Sequence, residues 1–198
     1  KAAEALGNKR REAARHLEEA VAAELPALKL ERARFAVEIE DQPDRIAETG
    51  TDEVAFTVQT NPGTRPGPLV KVASGGELSR FLLAIKVALA DRGSAPTLVF
   101  DEIDAAVGGA VADAIGARLS RLAGGVQVLS VTHAPQVAAR AASHLMVAKG
   151  DDAGEAVLTR VTRLDEDKRR EEIARMLAGA TVTDEARAAA DRLILGAA

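Results

Sequence analysis

Three short stretches carry residues able to act on a phosphate. Asp101 and Glu102 close the apolar run Thr97–Phe100. If that run is a strand, the two acids emerge at its carboxyl edge, where α/β sheets bind ligands. Successive strand residues face opposite ways, so the acids divide the work: one suits a divalent cation held through water, the other an attacking water. The same pair also fits two solvated turn acids. Ser74-Gly75-Gly76 stands just ahead of an apolar helical pattern. Glycines let backbone N–H groups approach an anion, and a helix N-terminus adds unsatisfied donors and partial positive charge. Ser74 contributes a hydroxyl, although with Glu77 three residues on it also reads as a capping box. His133 follows a second apolar run, Val126–Val131, and its imidazole could hydrogen-bond a phosphate oxygen. A structural role is the plainer use of a lone histidine, and His16 and His144 are read that way.

The elements that must position these residues follow from the apolar pattern. Residues 1–25 are rich in Ala, Glu, Lys and Arg, with Leu17, Val21, Leu25 and Leu28 at helical spacing until Pro26 ends the helix. Arg34–Glu40 and Glu53–Gln59 alternate as half-buried strands joined by a polar turn at Asp41–Thr51. The breaker-dense segment 61–68 is a loop. Helices are expected at 77–90, 110–122 and 134–142, and at 166–178 and 183–195, the last capped by Thr183. Strands are expected at 97–100, 126–131, 144–148 and 156–163, with a turn at Gly150–Gly154. Strand–helix alternation over 97–148 implies parallel pairing, while the front of the chain is antiparallel.

A length of 198 residues suits about one domain, and 47% apolar residues can build a core, although only 2% are aromatic. The net charge of −4 argues against a strongly basic nucleic-acid surface over the whole chain. Zero cysteines exclude disulfides and thiolate chemistry. No apolar run has the length of a membrane span. The start, Lys1-Ala2-Ala3-Glu4, has neither an initiator Met nor a signal peptide and reads as an entry point inside a longer protein. The phosphate-wrapping Gly-x-x-x-x-Gly-Lys-Ser/Thr loop is absent from these residues, as are Gly-x-Ser-x-Gly and His-x-x-x-His. The basic clusters Arg10-Arg11 and Lys168-Arg169-Arg170 read as solvated faces and locate no DNA surface.

The joint pattern resembles the ABC-type ATPases. Ser74-Gly75-Gly76-Glu77 is similar to their signature motif, Leu98–Glu102 to their Walker B strand with the adjacent catalytic Glu, and His133 to their switch histidine. Ile103–Gly109 stands at the D-loop position, with Gly108 where many of these proteins have Asp. The wording of Val72–Arg80, Phe100–Asp104 and Ser130–Ala138 narrows the likeness to the SMC and Rad50 branch and its bacterial DNA-repair relatives. It covers about residues 1–178, most strongly 70–149.

This resemblance implies an α/β fold: the C-terminal lobe of an ABC-type ATPase head, a mainly parallel sheet flanked by helices. Residues 1–28 would be the end of a coiled-coil helix and 29–198 the lobe. It implies ATP and Mg2+, with Asp101 holding the metal through water, Glu102 activating the attacking water and His133 meeting the γ-phosphate. Ser74, Gly75, Gly76 and Glu77 would reach ATP in a second head, with Asp104 and Gly108 in the D-loop region. The implied partners are an N-terminal lobe of the same protein carrying the Walker A loop, a second head and DNA, especially ends. No membrane partner is implied; the setting is the cytoplasm, at the nucleoid, in double-strand break repair. Two other readings stay open. One is a clamp with little hydrolysis, towards which Gly108 leans. The other is a nucleotide-binding subunit of another ABC system, against which Ile103-Asp104-Ala105 and the coil-like start argue.

Overall fold

The helix-forming start of the chain is helix α1, Ala2–Glu24, and Pro26 ends it in a single 3-10 turn, Pro26–Leu28. The computed structural model describes residues 1–42, 44, 47–89, 95–101, 103–105, 107–152 and 156–196. They form two compact units, one of residues 1–106 and 121–130, the other of 107–120 and 131–198.

In the first unit the alternating segments become β1, Arg34–Asp41, and β2, Asp52–Gln59, paired antiparallel with Phe35 opposite Val58 and Val37 opposite Phe56. Phe35 and Phe56 meet edge to face at 5.4 Å between ring centroids. α1 is fastened to this hairpin at two levels. Near its start, Arg10 donates from Nη1 to Asp52 Oδ2 (3.1 Å) and from Nη2 to the Thr49 carbonyl (2.7 Å). Two turns on, the Val37 amide donates to Glu18 Oε1 (2.7 Å). Gly7 makes the first fastening possible, because a Cβ there would lie 3.1 Å from both Asp52 carboxylate oxygens.

Past β2 the chain departs from a plain loop. Gly67–Pro68 is a two-residue strand, β3, paired with β2, and Leu69–Val72 is one turn of helix, α2. Helix α3, Gly75–Ala88, starts two residues earlier than the apolar pattern predicts and buries Phe81, Leu83, Ala84, Ile85 and Val87. β4, Thr97–Phe100, and β5, Gln127–Ser130, pair in parallel, with Val99 opposite Leu129 and Phe100 opposite Ser130. Leu98 is buried, whereas Val99 and Leu129, side by side on the opposite face, are 66% and 46% exposed.

The second unit holds helix α4, Gly109–Ala123, except its last three residues, followed by the short α5, Pro135–Ala139. Strands β6, Leu145–Asp152, and β7, Ala156–Arg163, form a hairpin, and helices α6, Glu166–Ala178, and α7, Asp184–Leu195, close the chain. Ala138, Ala139, Ile173, Ala174 and Ala190 form one core cluster, with Met176, Val182, Ala186, Leu193 and Ile194 packed around it. Thr183 caps α7, its side chain accepting from the Ala186 amide, and Gly179, at φ +82°, stops α6.

The chain therefore has a mixed α/β fold with a long N-terminal helix, but the expected mainly parallel sheet needs correction. Among the described residues parallel pairing is confined to β4 and β5. β6 pairs with β7 antiparallel, Asp152 opposite Ala156, because a connection of residues 153–155 is far too short for the crossover that parallel strands need. Of the expected turn at Gly150–Gly154, residues 150–152 belong to β6 and the rest lie outside the described residues. The basic clusters are also not plain solvated faces. Arg10 fastens α1 as above, Arg169 donates to the Ala139 carbonyl at the end of α5 (2.8 Å), and Arg170 makes a two-pronged pair with Asp191 on α7. Lys168 reaches back to Asp165 at 2.9 Å. The planar fork of arginine suits such internal ties.

Candidate functional site

In the first unit, the start of α3 forms a small open turn. Ser74 has an extended backbone, and its carbonyl accepts the first helical bond from Leu78 N at 2.7 Å. Glu77 folds back so that Oε2 accepts from the Ser74 amide (2.9 Å) and from Ser74 Oγ (2.7 Å). These two bonds, the hydroxyl's the larger, hold the Glu77 carboxyl below its ordinary range; the Arg80 charge adds to them and partial burial opposes them. Ser74 and Gly75 are exposed, and a Cβ on Gly75 would meet nothing within 4 Å among the described residues beyond its own turn. Gly76 is more crowded: a Cβ there would lie 3.4 Å from Arg80 Nη1 and 3.6 Å from the Ala105 carbonyl oxygen.

That carbonyl belongs to the segment leaving β4. Asp101 is exposed just past the strand, Glu102 lies outside the described residues, Ile103 is fully buried, Asp104 is half-buried and Ala105 is exposed. The fold thus brings the Ser74–Gly76 turn against the loop that follows Asp101. On the neighbouring strand, Ser130 Oγ is buried with no partner among the described residues. β4 and β5 run parallel, so both end at one edge, and a buried hydroxyl left unmet there suits a polar ligand. Among the described residues no group of three or more acidic, His or Cys side chains could hold a metal alone. The oxygen chemistry of Asp101 nevertheless fits Mg2+, which is usually bound by one or two carboxylates together with substrate phosphates and water.

In the second unit, Gly108 is exposed with nothing within 4 Å of an added Cβ. The next residue, Gly109, starts α4 under the side chain of Gln136, whose Nε2 would stand 3.0 Å from a Cβ. Gly116 lets α5 come still closer, since its Cβ would fall 2.8 Å from Arg140 Cδ and 3.2 Å from the Gln136 carbonyl. Arg140 Nε secures the contact by donating to Asp113 Oδ1 at 3.0 Å. His133 is exposed on the segment entering α5, and that segment is ordered by the Ala134 amide, which donates to Thr132 Oγ1 at 3.0 Å. Gly108–Gly109 and the stretch around His133 are therefore neighbours through Gln136. Asp101 and His133 belong to different units.

Sequence reasoning attached no role to Arg80, Ser130 or Gln136. For Arg80 a signal existed: it stands four residues after Gly76, on the same helix face. Ser130 and Gln136 carry none, because strand register and helix packing alone give them their positions. His144 is half-buried, with Nδ1 lacking a partner among the described residues. Burial is the chief cause that lowers its pKa, Arg169 adds to it and Glu172 opposes it.

The Glu77 contacts predict a pH effect. A carboxyl whose folded pKa is depressed gives stability that is present above the unfolded value, near 4.5, and lost as pH falls through the folded one. Glu77→Gln is therefore expected to flatten that part of the acid limb. Urea unfolding at stepped pH below neutrality checks it, and parallel curves for the two proteins would contradict it.

No family model matches the chain. It is 44% identical over 184 residues to DNA repair protein RecN of Rickettsia prowazekii, covering 93% of this chain and 33% of that protein. RecN of Vibrio cholerae is 39% identical over 196 residues, covering 99% and 35%. RecN of Streptomyces coelicolor is 42% identical over 203 residues, covering 97% and 35%. The chain thus spans about a third of the length of these curated relatives. Among solved structures, one from work on ATP-driven dimerization and DNA-stimulated activation of SMC ATPases is similar with a TM-score of 0.56 at 16% identity, covering 88% of this chain and 99% of that one. The Smc head domain with a coiled coil and joint from Pyrococcus yayanosii gives a TM-score of 0.60 at 19% identity, covering 80% and 28%. At such identities the likeness is one of fold.

Proposed function

From the premise that this chain is homologous to about a third of DNA repair protein RecN, we propose that it is the C-terminal lobe of an SMC-like ATPase head that couples ATP to the tethering of broken DNA. Residues 1–28 are the root of a coiled coil and 29–198 the lobe. The observation that carries this reading is the open glycine turn. Ser74 and Gly75 face solvent at the start of a 14-residue helix, and among the described residues nothing beyond its own turn comes within 4 Å of a Cβ added to Gly75. A turn so exposed suits a phosphate presented by another molecule, approached by backbone N–H groups and the helix dipole.

Within its own head, Asp101 would hold Mg2+ through water, and the ion when bound would neutralise phosphate charge. Glu102 orients the attacking water and accepts its proton. His133 donates a hydrogen bond to a γ-phosphate oxygen. Ser74, Gly75 and Gly76 grip the γ-phosphate of ATP in the second head. Glu77 orients Ser74 for that grip. Its carboxylate accepts the Ser74 hydroxyl, which must turn away to donate to a phosphate. Asp104 and Gly108 lie on the loop facing the partner head. The loop that wraps ATP belongs to the N-terminal lobe.

The test is turnover by parts. Residues 1–198 alone are expected to hydrolyse no ATP above buffer, and mixing or fusing them with the N-terminal lobe of the same protein is expected to restore turnover that linear DNA stimulates. Hydrolysis by the isolated segment, or a complete protein inert towards ATP, would refute the assignment.

A further inference from the structure

Arg80 lies one turn beyond Gly76 on α3. Helix side chains lean towards the N-terminus, and Arg80 runs back over the glycine. Its Nη1 and the Ala105 carbonyl oxygen both close on the space a Gly76 side chain would fill, at 3.4 and 3.6 Å. The Arg80 guanidinium and the Ala105 carbonyl thus flank Gly76 from two sides. Arg80 Nε is buried with no partner among the described residues. A buried donor left unmet is costly. The carboxylate closest to Arg80 in sequence, Glu77, is engaged with Ser74. Guanidinium offers five donors in a rigid fork, and the Ala105 carbonyl is the backbone acceptor that closes on the same space at Gly76. Ile103 pins the start of that loop in the core, while Ala105 stays exposed at its free end.

We infer that Arg80 is a positioning residue that ties the glycine turn, facing the sister head's nucleotide, to the loop leaving β4, which serves the nucleotide at home. The inference rests on the function proposed above. In this arrangement Arg80 carries a displacement of the turn to the loop, and each head registers the occupancy of both sites.

The experiment uses the complete protein with native sequence, Arg80→Ala, Arg80→Lys and a Ser74→Ala control. It reads kcat and KM for ATP together with ATP-dependent dimerisation by size exclusion. Arg80→Ala is expected to lower kcat by about 10- to 100-fold, the scale of a slightly misplaced reacting group. KM is expected to stay within about twofold, since ground-state binding is not what Arg80 supplies. Arg80→Lys, which keeps the charge but not the fork, is expected to recover only a small part of the loss. An unchanged kcat, a rise in KM alone, or full recovery with Lys would overturn the inference. Should Arg80→Ala not fold by circular dichroism, Arg80→Lys decides: full kcat overturns the tie, and reduced kcat with unchanged KM supports it. An inactive Ser74→Ala beside an active Arg80→Ala removes the tie alone. A Ser74→Ala with native turnover and dimer removes the proposed function and the tie together.

Discussion

Replacing Glu102 with Gln in the complete protein is expected to reduce ATP turnover by about 10²- to 10⁴-fold, the range a positioned general base contributes. ATP-dependent pairing of heads should persist and lengthen. The amide keeps the shape and much of the hydrogen bonding of the carboxylate but cannot accept the proton of the attacking water. Asp101, exposed past the end of β4 and proposed above to serve the metal, is untouched by the change. Binding survives while the chemistry stops, so ATP remains to hold two heads together. Size exclusion with ATP and single-turnover hydrolysis measure the two halves of the expectation. Loss of turnover without a dimer would sink the sandwich arrangement. Turnover unaffected by the substitution would favour a clamp that uses ATP without depending on this acid.

The second large effect separates the stability of the chain from its work. Gly75 is the first residue of α3, is exposed, and has free space where a side chain would go. The Cβ of Gly75→Asp therefore meets no clash among the described residues. A negative charge in the first turn of a helix stabilises it by about 0.3–1 kcal/mol, and removing a glycine from a helix adds a similar favourable amount. The melting temperature should hold or rise slightly. Function should move the other way, because a carboxylate now stands where a phosphate from the sister head must approach. ATP-dependent dimerisation and turnover are expected to drop at least about tenfold, one unit on the scale where 1.4 kcal/mol equals a factor of ten. A variant that is both stable and fully active would show that the turn meets no phosphate.

Much of this was legible from local pattern. The Phe35 and Val58 strands alternate cleanly, and Thr183 with Asp184 and Glu185 announces a helix start that the structure bears out. What escaped depends on partners remote in sequence. Gly75 and Gly76 read as loop because glycine is a poor helix former, yet Glu77 folding back on Ser74 draws both into α3. Gly67–Pro68 reads as a breaker but adds to β2, since an edge position asks no ladder donor of proline. β6 runs on through Gly150 because β7 is there to pair with it. At the candidate site Asp101 follows β4 and the exposed His133 precedes α5, as the strand–helix pattern implies, but nothing short of the fold puts Ala105 against Gly76 or Gln136 against Gly109.

The double fastening of α1 has a mechanical meaning. The Arg10 and Glu18 attachments sit eight residues apart, about 12 Å along the axis at 1.5 Å per residue. A rod pinned once can swivel; pinned twice at that span it is held in direction against the β1–β2 hairpin. A bending force applied to the start of α1 is thereby resisted by the sheet, and Gly7 leaves the room in which the Arg10 pin closes on Asp52.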